Sequence, residues 1–167
     1  MRYSRQHSRG LARGFTLIEI LVVMAIIAIG VSVALVAYDG SDRDRASREA
    51  RRFAGALEHA AARAQARAET LGASAQEGTW RFWRRDPDSG RWQPLADDDG
   101  ILAVHTLPAP MSVASTSYSG REVAADTIVP FRPTGRNEPF TFELTSRDAR
   151  LVLAGDPLNR IAVVVPE

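Results

Sequence analysis

The sequence predicts an α+β fold in which a long N-terminal helix, apolar in its first half and amphipathic in its second, packs on an antiparallel β-sheet head. Three observations predict it. Residues 15–38 form an apolar run of about the 20 residues that a helix needs to cross a bilayer. Small apolar residues then recur every three or four positions to Leu71. After Gly72 the apolar period changes to two, broken by Gly, Pro and Asp turns.

The chain of 167 residues divides accordingly into 1–14, 15–38, 39–72 and 73–167. The first piece holds Arg2, Arg5, Arg9 and Arg13 and no acid. With those four set aside, the 20 acids outnumber the remaining arginines, and there is no lysine. A mildly acidic body argues against nucleic-acid binding as the main role. There is no cysteine, so disulfides, thiolate nucleophiles and Cys-based metal sites are excluded.

The second piece, FTLIEILVVMAIIAIGVSVALVAY, reads as a membrane helix. Four arginines ahead of it, against mixed charge beyond Tyr38, place its N-terminus in the cytoplasm. It is too long for the core of an ordinary signal peptide, and no small-residue cleavage site precedes Asp39. A plain signal anchor would explain the arginines and the run, but not Glu19. A carboxylate in a membrane helix costs about 2.5–3.5 kcal/mol near the centre and less near an end. Glu19 also suits the positive end of the helix dipole. If the chain were cut after Gly14, the new amine of Phe15 would lie about one turn from Glu19, and a neighbouring subunit's amine could pair with that carboxylate.

The sequence Gly14-Phe15-Thr16-Leu17-Ile18-Glu19, with its basic leader and apolar run, resembles the type IV prepilin motif of pilins and of the pseudopilins of type II secretion. The resemblance implies a pilin-like fold and a single-pass protein of the bacterial inner membrane, its head in the periplasm. It also implies a prepilin peptidase that cuts between Gly14 and Phe15 and methylates Phe15, and a Glu19 that sets the register of assembly. Many pilins carry a proline within the apolar helix. Here the first proline is Pro87, so Gly30 and Ser32 are the candidate weak points.

In the third piece, Ala46, Ala50, Phe53, Leu57, Ala60, Ala64, Ala68 and Leu71 form one helical stripe, with Gly72 as the expected C-cap. The small side chains require a close neighbour, and a sheet is the expected one. In the head, strands are expected over 79–84, 91–95, 101–107, 128–131 and 140–144, with a last hairpin over 150–154 and 161–165. Trp80, Trp83 and Trp92 are read as cross-strand packing, or as a subunit contact if exposed. Phe131-Arg132-Pro133-Thr134-Gly135, followed by Pro139-Phe140, is similar to the F-x-P-x-G stretch of the H-type minor pseudopilins.

That resemblance implies a structural subunit of the secretion pseudopilus, which drives folded proteins across the outer membrane. Its partners would be other major and minor pseudopilins, the peptidase, the inner-membrane assembly platform and exoprotein cargo. A minor type IV pilin for adhesion, motility or DNA uptake would carry the same leader. A signal-anchored periplasmic binding module is the reading from another class. No catalytic residue, metal site or cofactor is expected. Asp97-Asp98-Asp99 before Gly100 lacks EF-hand spacing and reads as a solvated loop rather than a calcium site. His7, His59 and His105 are scattered, and no nucleophile, phosphate-loop or dinucleotide motif occurs.

Intact mass spectrometry of the chain from its native membrane is expected to show a protein that begins at Phe15 and carries one added methyl group. An uncut mass in cells with an active prepilin peptidase would refute the leader assignment.

Overall fold

In a computed structural model, residues 17–96, 100–147 and 149–166 are described, with side chains of 33–41 excepted. The chain forms two compact units, Met1–Tyr38 and Asp39–Glu167. One helix, α1 (Leu17–Ala66), contributes to both. The strands are β1 (Leu71–Gln76), β2 (Thr79–Arg85), β3 (Trp92–Pro94), β4 (His105–Thr106), β5 (Ser112–Tyr118), β6 (Arg121–Val123), β7 (Val129–Phe131), β8 (Phe140–Thr145), β9 (Arg150–Gly155) and β10 (Ile161–Val164).

They form two antiparallel sheets. The first has the order β3-β2-β1-β7, with β4 also paired to β2, and the second is β10-β9-β8-β5-β6. Their buried faces and the alanine stripe of α1 share one core. Ala46, Ala50, Ala54, Ala60, Ala61 and Ala64 are all buried, and these short side chains let the sheets' aromatic rings approach the helix. Phe53 enters between the sheets. Its ring stacks on Trp80 of β2, with centroids 4.5 Å apart, and meets Phe142 of β8 at 5.1 Å. Trp80 thus packs on α1, whereas Trp83 and Trp92 lie on the other face of the first sheet and are only half-buried.

The helix ends earlier than its stripe predicts. Ala68 takes φ 52°. Its N–H donates to Gln65 and that of Glu69 donates to Ala64, which closes a Schellman cap without glycine. Arg63 and Glu69 pair across this end at 3.0 Å. Gly72, expected as the cap, sits instead inside β1, where Ile128 and Trp92 leave no room for a side chain. β1 was not anticipated. Its sequence LGASAQ is poor in β-formers, and five of its six residues are buried because the strand is central in its sheet.

Two further strand expectations change. Only His105–Thr106 of 101–107 is a strand. Leu102 and Leu107 are the residues of that run that reach the core; they differ in parity, so no single strand could bury both. The hairpin β5–β6 has no counterpart among the expected strands. A bulge between Val113 and Ser115 breaks its alternation, and its outward face is polar, with Ser117 bonded to Thr141 at 2.7 Å. Its turn, Ser119-Gly120, has φ of 54° and 75°, and Glu77-Gly78 closes β1–β2 in the same manner.

The two aspartate turns form as expected. Asp86 accepts from the N–H and hydroxyl of Ser89, both at 2.7 Å. Asp156 accepts from the N–H groups of Arg160 and Leu158. Backbone N–H donors, joined by the Ser89 hydroxyl at Asp86 and the Arg160 guanidinium at Asp156, hold both carboxyls below the usual aspartate range.

The F-x-P-x-G segment leads from β7 into a loop that is tied to the last hairpin. Asn137 Oδ1 accepts from the N–H of Arg132 at 2.9 Å, and its own N–H donates to Pro157 O at 3.1 Å. Its side-chain amide donates to Asn159 Oδ1, and Asn159 Nδ2 donates to Gly135 O at 3.1 Å. Both asparagines are buried. At the opposite end of the core, His105 Nε2 lies 2.9 Å from Glu49 Oε2, with its ring 4.2 Å from that of Trp80.

Phe53→Ala in the full chain is expected to lower the unfolding free energy by about 3–5 kcal/mol, as for a buried aromatic removed from a packed core. Urea unfolding followed by tryptophan fluorescence measures it, and an unchanged midpoint would contradict the role given to Phe53. Asn137→Ala is expected to cost about 1–3 kcal/mol in the same measurement, because it strands buried polar partners.

Candidate functional site

The first unit presents the least ordinary surface of the chain. From Leu17 to Val31 the large apolar side chains are exposed on every side of α1, from 84% for Leu17 to 46% for Val23. A helix apolar all round belongs in a bilayer or in a bundle. Nothing in the head requires it, because the core described above is closed without these residues.

Glu19 is the one acidic residue in the first turn of α1 and is exposed with its neighbours. Ser32 satisfies its hydroxyl by donating to Ala28 O at 2.8 Å, and the helix runs on through Gly30 and Ser32. It also runs through Asp39-Gly40. Among the described residues, no helix is long and apolar enough to cross a membrane. The side chains described within the apolar run are those of 17–32.

Gly14 and Phe15, the predicted cleavage and methylation positions, lie outside the described residues, as do His7 and Asp97-Asp98-Asp99. Among the described residues, no three His, Asp or Glu are placed to hold a metal ion. His105 is engaged with Glu49, and His59 is half-buried on α1.

The head adds what sequence reasoning missed. Asn137 and Asn159 together fix the loop of the F-x-P-x-G segment against the turn of β9–β10. One signal for Asn159 was available in its position at the end of Asp156-Pro157-Leu158-Asn159. A turn of that kind accepts asparagine in the left-handed region, and Asn159 has φ 64°. Gly135 occupies the same loop at φ 74°, and a Cβ there would come within 2.9 Å of Gln65 on α1. The loop backbone at Gly135 therefore passes close to the Gln65 side chain of α1.

Comparison with known proteins agrees with this assembly of parts. Residues 49–159 match the family described as type II transport protein GspH, and residues 9–35 match the prokaryotic N-terminal methylation motif. The type II secretion system protein H of Escherichia coli K12 is 31% identical over 76% of this chain and 70% of its own length. The protein of that name from Aeromonas hydrophila is 27% identical over 81% of each. Among solved structures, the minor pseudopilin EpsH from the type 2 secretion system of Vibrio cholerae has a TM-score of 0.60 at 15% identity, covering 73% of this chain and 96% of that one. The solution structure of Escherichia coli GspH has a TM-score of 0.57 at 21% identity, covering 74% and 90%. These two likenesses are of fold, and they match the pilin-like α+β architecture expected from the sequence. With the family match spanning most of the head and the methylation motif the leader, the chain belongs to the GspH family of type II transport proteins and is a GspH-like pseudopilin.

Proposed function

We propose that the chain serves as a minor structural subunit of the type II secretion pseudopilus and performs no catalysis of its own. The observation that carries this reading is the exposed apolar half of α1, with its acid in the first turn, joined to a head that is already closed. Such a helix has no purpose in the free monomer. It gains its partners first from lipid and then from the helices of other subunits.

In this reading a prepilin peptidase removes residues 1–14 and methylates the amine of Phe15. Residues 15–38 hold the product in the bacterial inner membrane, with the head in the periplasm. The assembly platform and the other pseudopilins then draw the helix into the pseudopilus. Glu19 acts at that step. Within the helix bundle its carboxylate pairs with the Phe15 amine of an adjoining subunit, which fixes the axial register of the newcomer. Coulombic attraction rises as the dielectric falls, so a pair formed away from water is favoured over one in the wrong register. Contact between the head and exported protein is part of the same proposal. The match to the GspH family favours the secretion pseudopilus over a type IV pilus.

Glu19→Ala is expected to insert and to be cleaved normally, while its recovery with the sheared pseudopilus falls by about tenfold or more, equivalent to roughly 1.4 kcal/mol of lost pairing. Quantitative immunoblotting of membrane and filament fractions measures it. Normal incorporation of the variant would overturn the register role.

A further inference from the structure

The second half of α1 carries another unshielded surface. Between Arg43 and Leu57 the exposed residues are Arg43, Asp44, Arg45, Arg48, Arg51, Arg52 and Gly55, five arginines against one aspartate. Arg45, Arg48, Arg51 and Arg52 project from the side opposite Ala46, Ala50, Phe53 and Leu57, so the head's core lies behind them. Arg45 has a long contact with Asp42 at 3.9 Å. Arg48, Arg51 and Arg52 have no ion pair among the described residues. Of the two half-buried acids nearby, Asp42 makes that long contact and Glu49 is engaged with His105.

The face holds more positive charge than its own helix balances. Arg45–Arg48 and Arg48–Arg51 are three residues apart and Arg48–Arg52 four, spacings at which like charges repel on a helix, while Asp44 stands four residues before Arg48 as the one exposed acid among them. Gly55 follows in a helix otherwise rich in alanine, and open space surrounds the position where its side chain would stand. An arginine-rich face, in a body whose acids otherwise outnumber its bases, is complementary to a negative partner.

We propose that this arginine face docks on the α1 helix of a different pseudopilin that presents aspartate or glutamate towards it. The proposal rests on the pseudopilus reading above and gives its partner a chemistry. The partner is a helix because, in that reading, α1 assembles beside the α1 helices of other subunits, and this face is one side of α1 itself. It is a different chain because a second copy would bring the same five arginines to the contact. Electrostatic complementarity of this kind selects partners and suppresses wrong ones. The face therefore makes the subunit unsuited to self-polymerisation and suited to one acidic neighbour.

The chain has no cysteine, so a single introduced thiol reports one place cleanly. Full-length Gly55→Cys and Leu21→Cys variants would be produced in cells carrying the whole secretion system and treated in membranes with a thiol-to-amine crosslinker. Adducts would be identified by mass spectrometry. From Gly55→Cys the expected adduct is a different pseudopilin, joined near an acidic helical segment. The yield should fall at least tenfold in the Arg48→Glu, Arg51→Glu, Arg52→Glu background and recover when the partner's acids are changed to arginine. A thermal melt of the triple variant shows whether its head is intact.

Homotypic adducts, adducts to lipid alone, or a yield indifferent to charge reversal would each overturn the proposal. If Leu21→Cys crosslinks to pseudopilins while Gly55→Cys does not, the arginine face fails and the pseudopilus reading stands. If neither does, both fail.

Discussion

The packing of Phe53 between Trp80 and Phe142 is the contact on which the head depends. One ring from α1 touches β2 of one sheet and β8 of the other, so a single side chain holds three elements together. The alanines around it are the condition for this contact. Larger residues at Ala50, Ala54 or Ala60 would lift the helix away and separate the rings. The small-residue stripe and the aromatic sheet faces are therefore two halves of one solution, in which the sheets supply the volume that the helix omits.

The remaining features follow from closing that core without disulfides. The helix stops in a left-handed residue at Ala68, and a short link carries the chain straight into β1. Central β1 is then covered on both faces, by α1 and by Trp92 with Ile128. The two buried asparagines tie down the loop after β7 as a disulfide does elsewhere. Their side chains satisfy one another and two backbone groups, the N–H of Arg132 and the carbonyl of Gly135, which is the condition on which buried polar side chains are tolerated. Because the head's core is closed without them, the apolar side chains of 17–31 remain exposed.

The most legible parts of the sequence were those with few physical solutions. An apolar run of membrane length, an acid near its start and a basic leader admit few readings, and the stripe from Ala46 to Ala64 could only be a packed helix. The head was legible where alternation was clean, as at Phe140, Phe142 and Leu144. It was illegible where a tertiary feature replaced the local signal. The bulge in β5 reset its parity, and its serines disguised a strand as a loop. Burial of β1 on both faces removed its alternation, and Ala68 took a conformation for which glycine is the usual sign. The clasp of Asn137 and Asn159 joins residues distant in sequence, and no local period announces such a pair. Glu19 stands out in the sequence because a charge in an apolar run is costly. The arginine face has no period of its own in the sequence, and burial of Ala46, Ala50, Phe53 and Leu57 decides which side of the helix carries it.

The way α1 meets the head also determines how the protein bears mechanical load. Part of any force drawn along the second half of the helix enters the sheets through Phe53, seated like a peg between two rings, and part through the Arg63–Glu69 pair beside the short link to β1. Neither route runs through a long flexible loop. Sliding the helix against its sheets would require the peg to leave both aromatic neighbours at once, so the resistance is collective rather than sequential. A head coupled in this manner moves when its helix moves, with little slack and little delay.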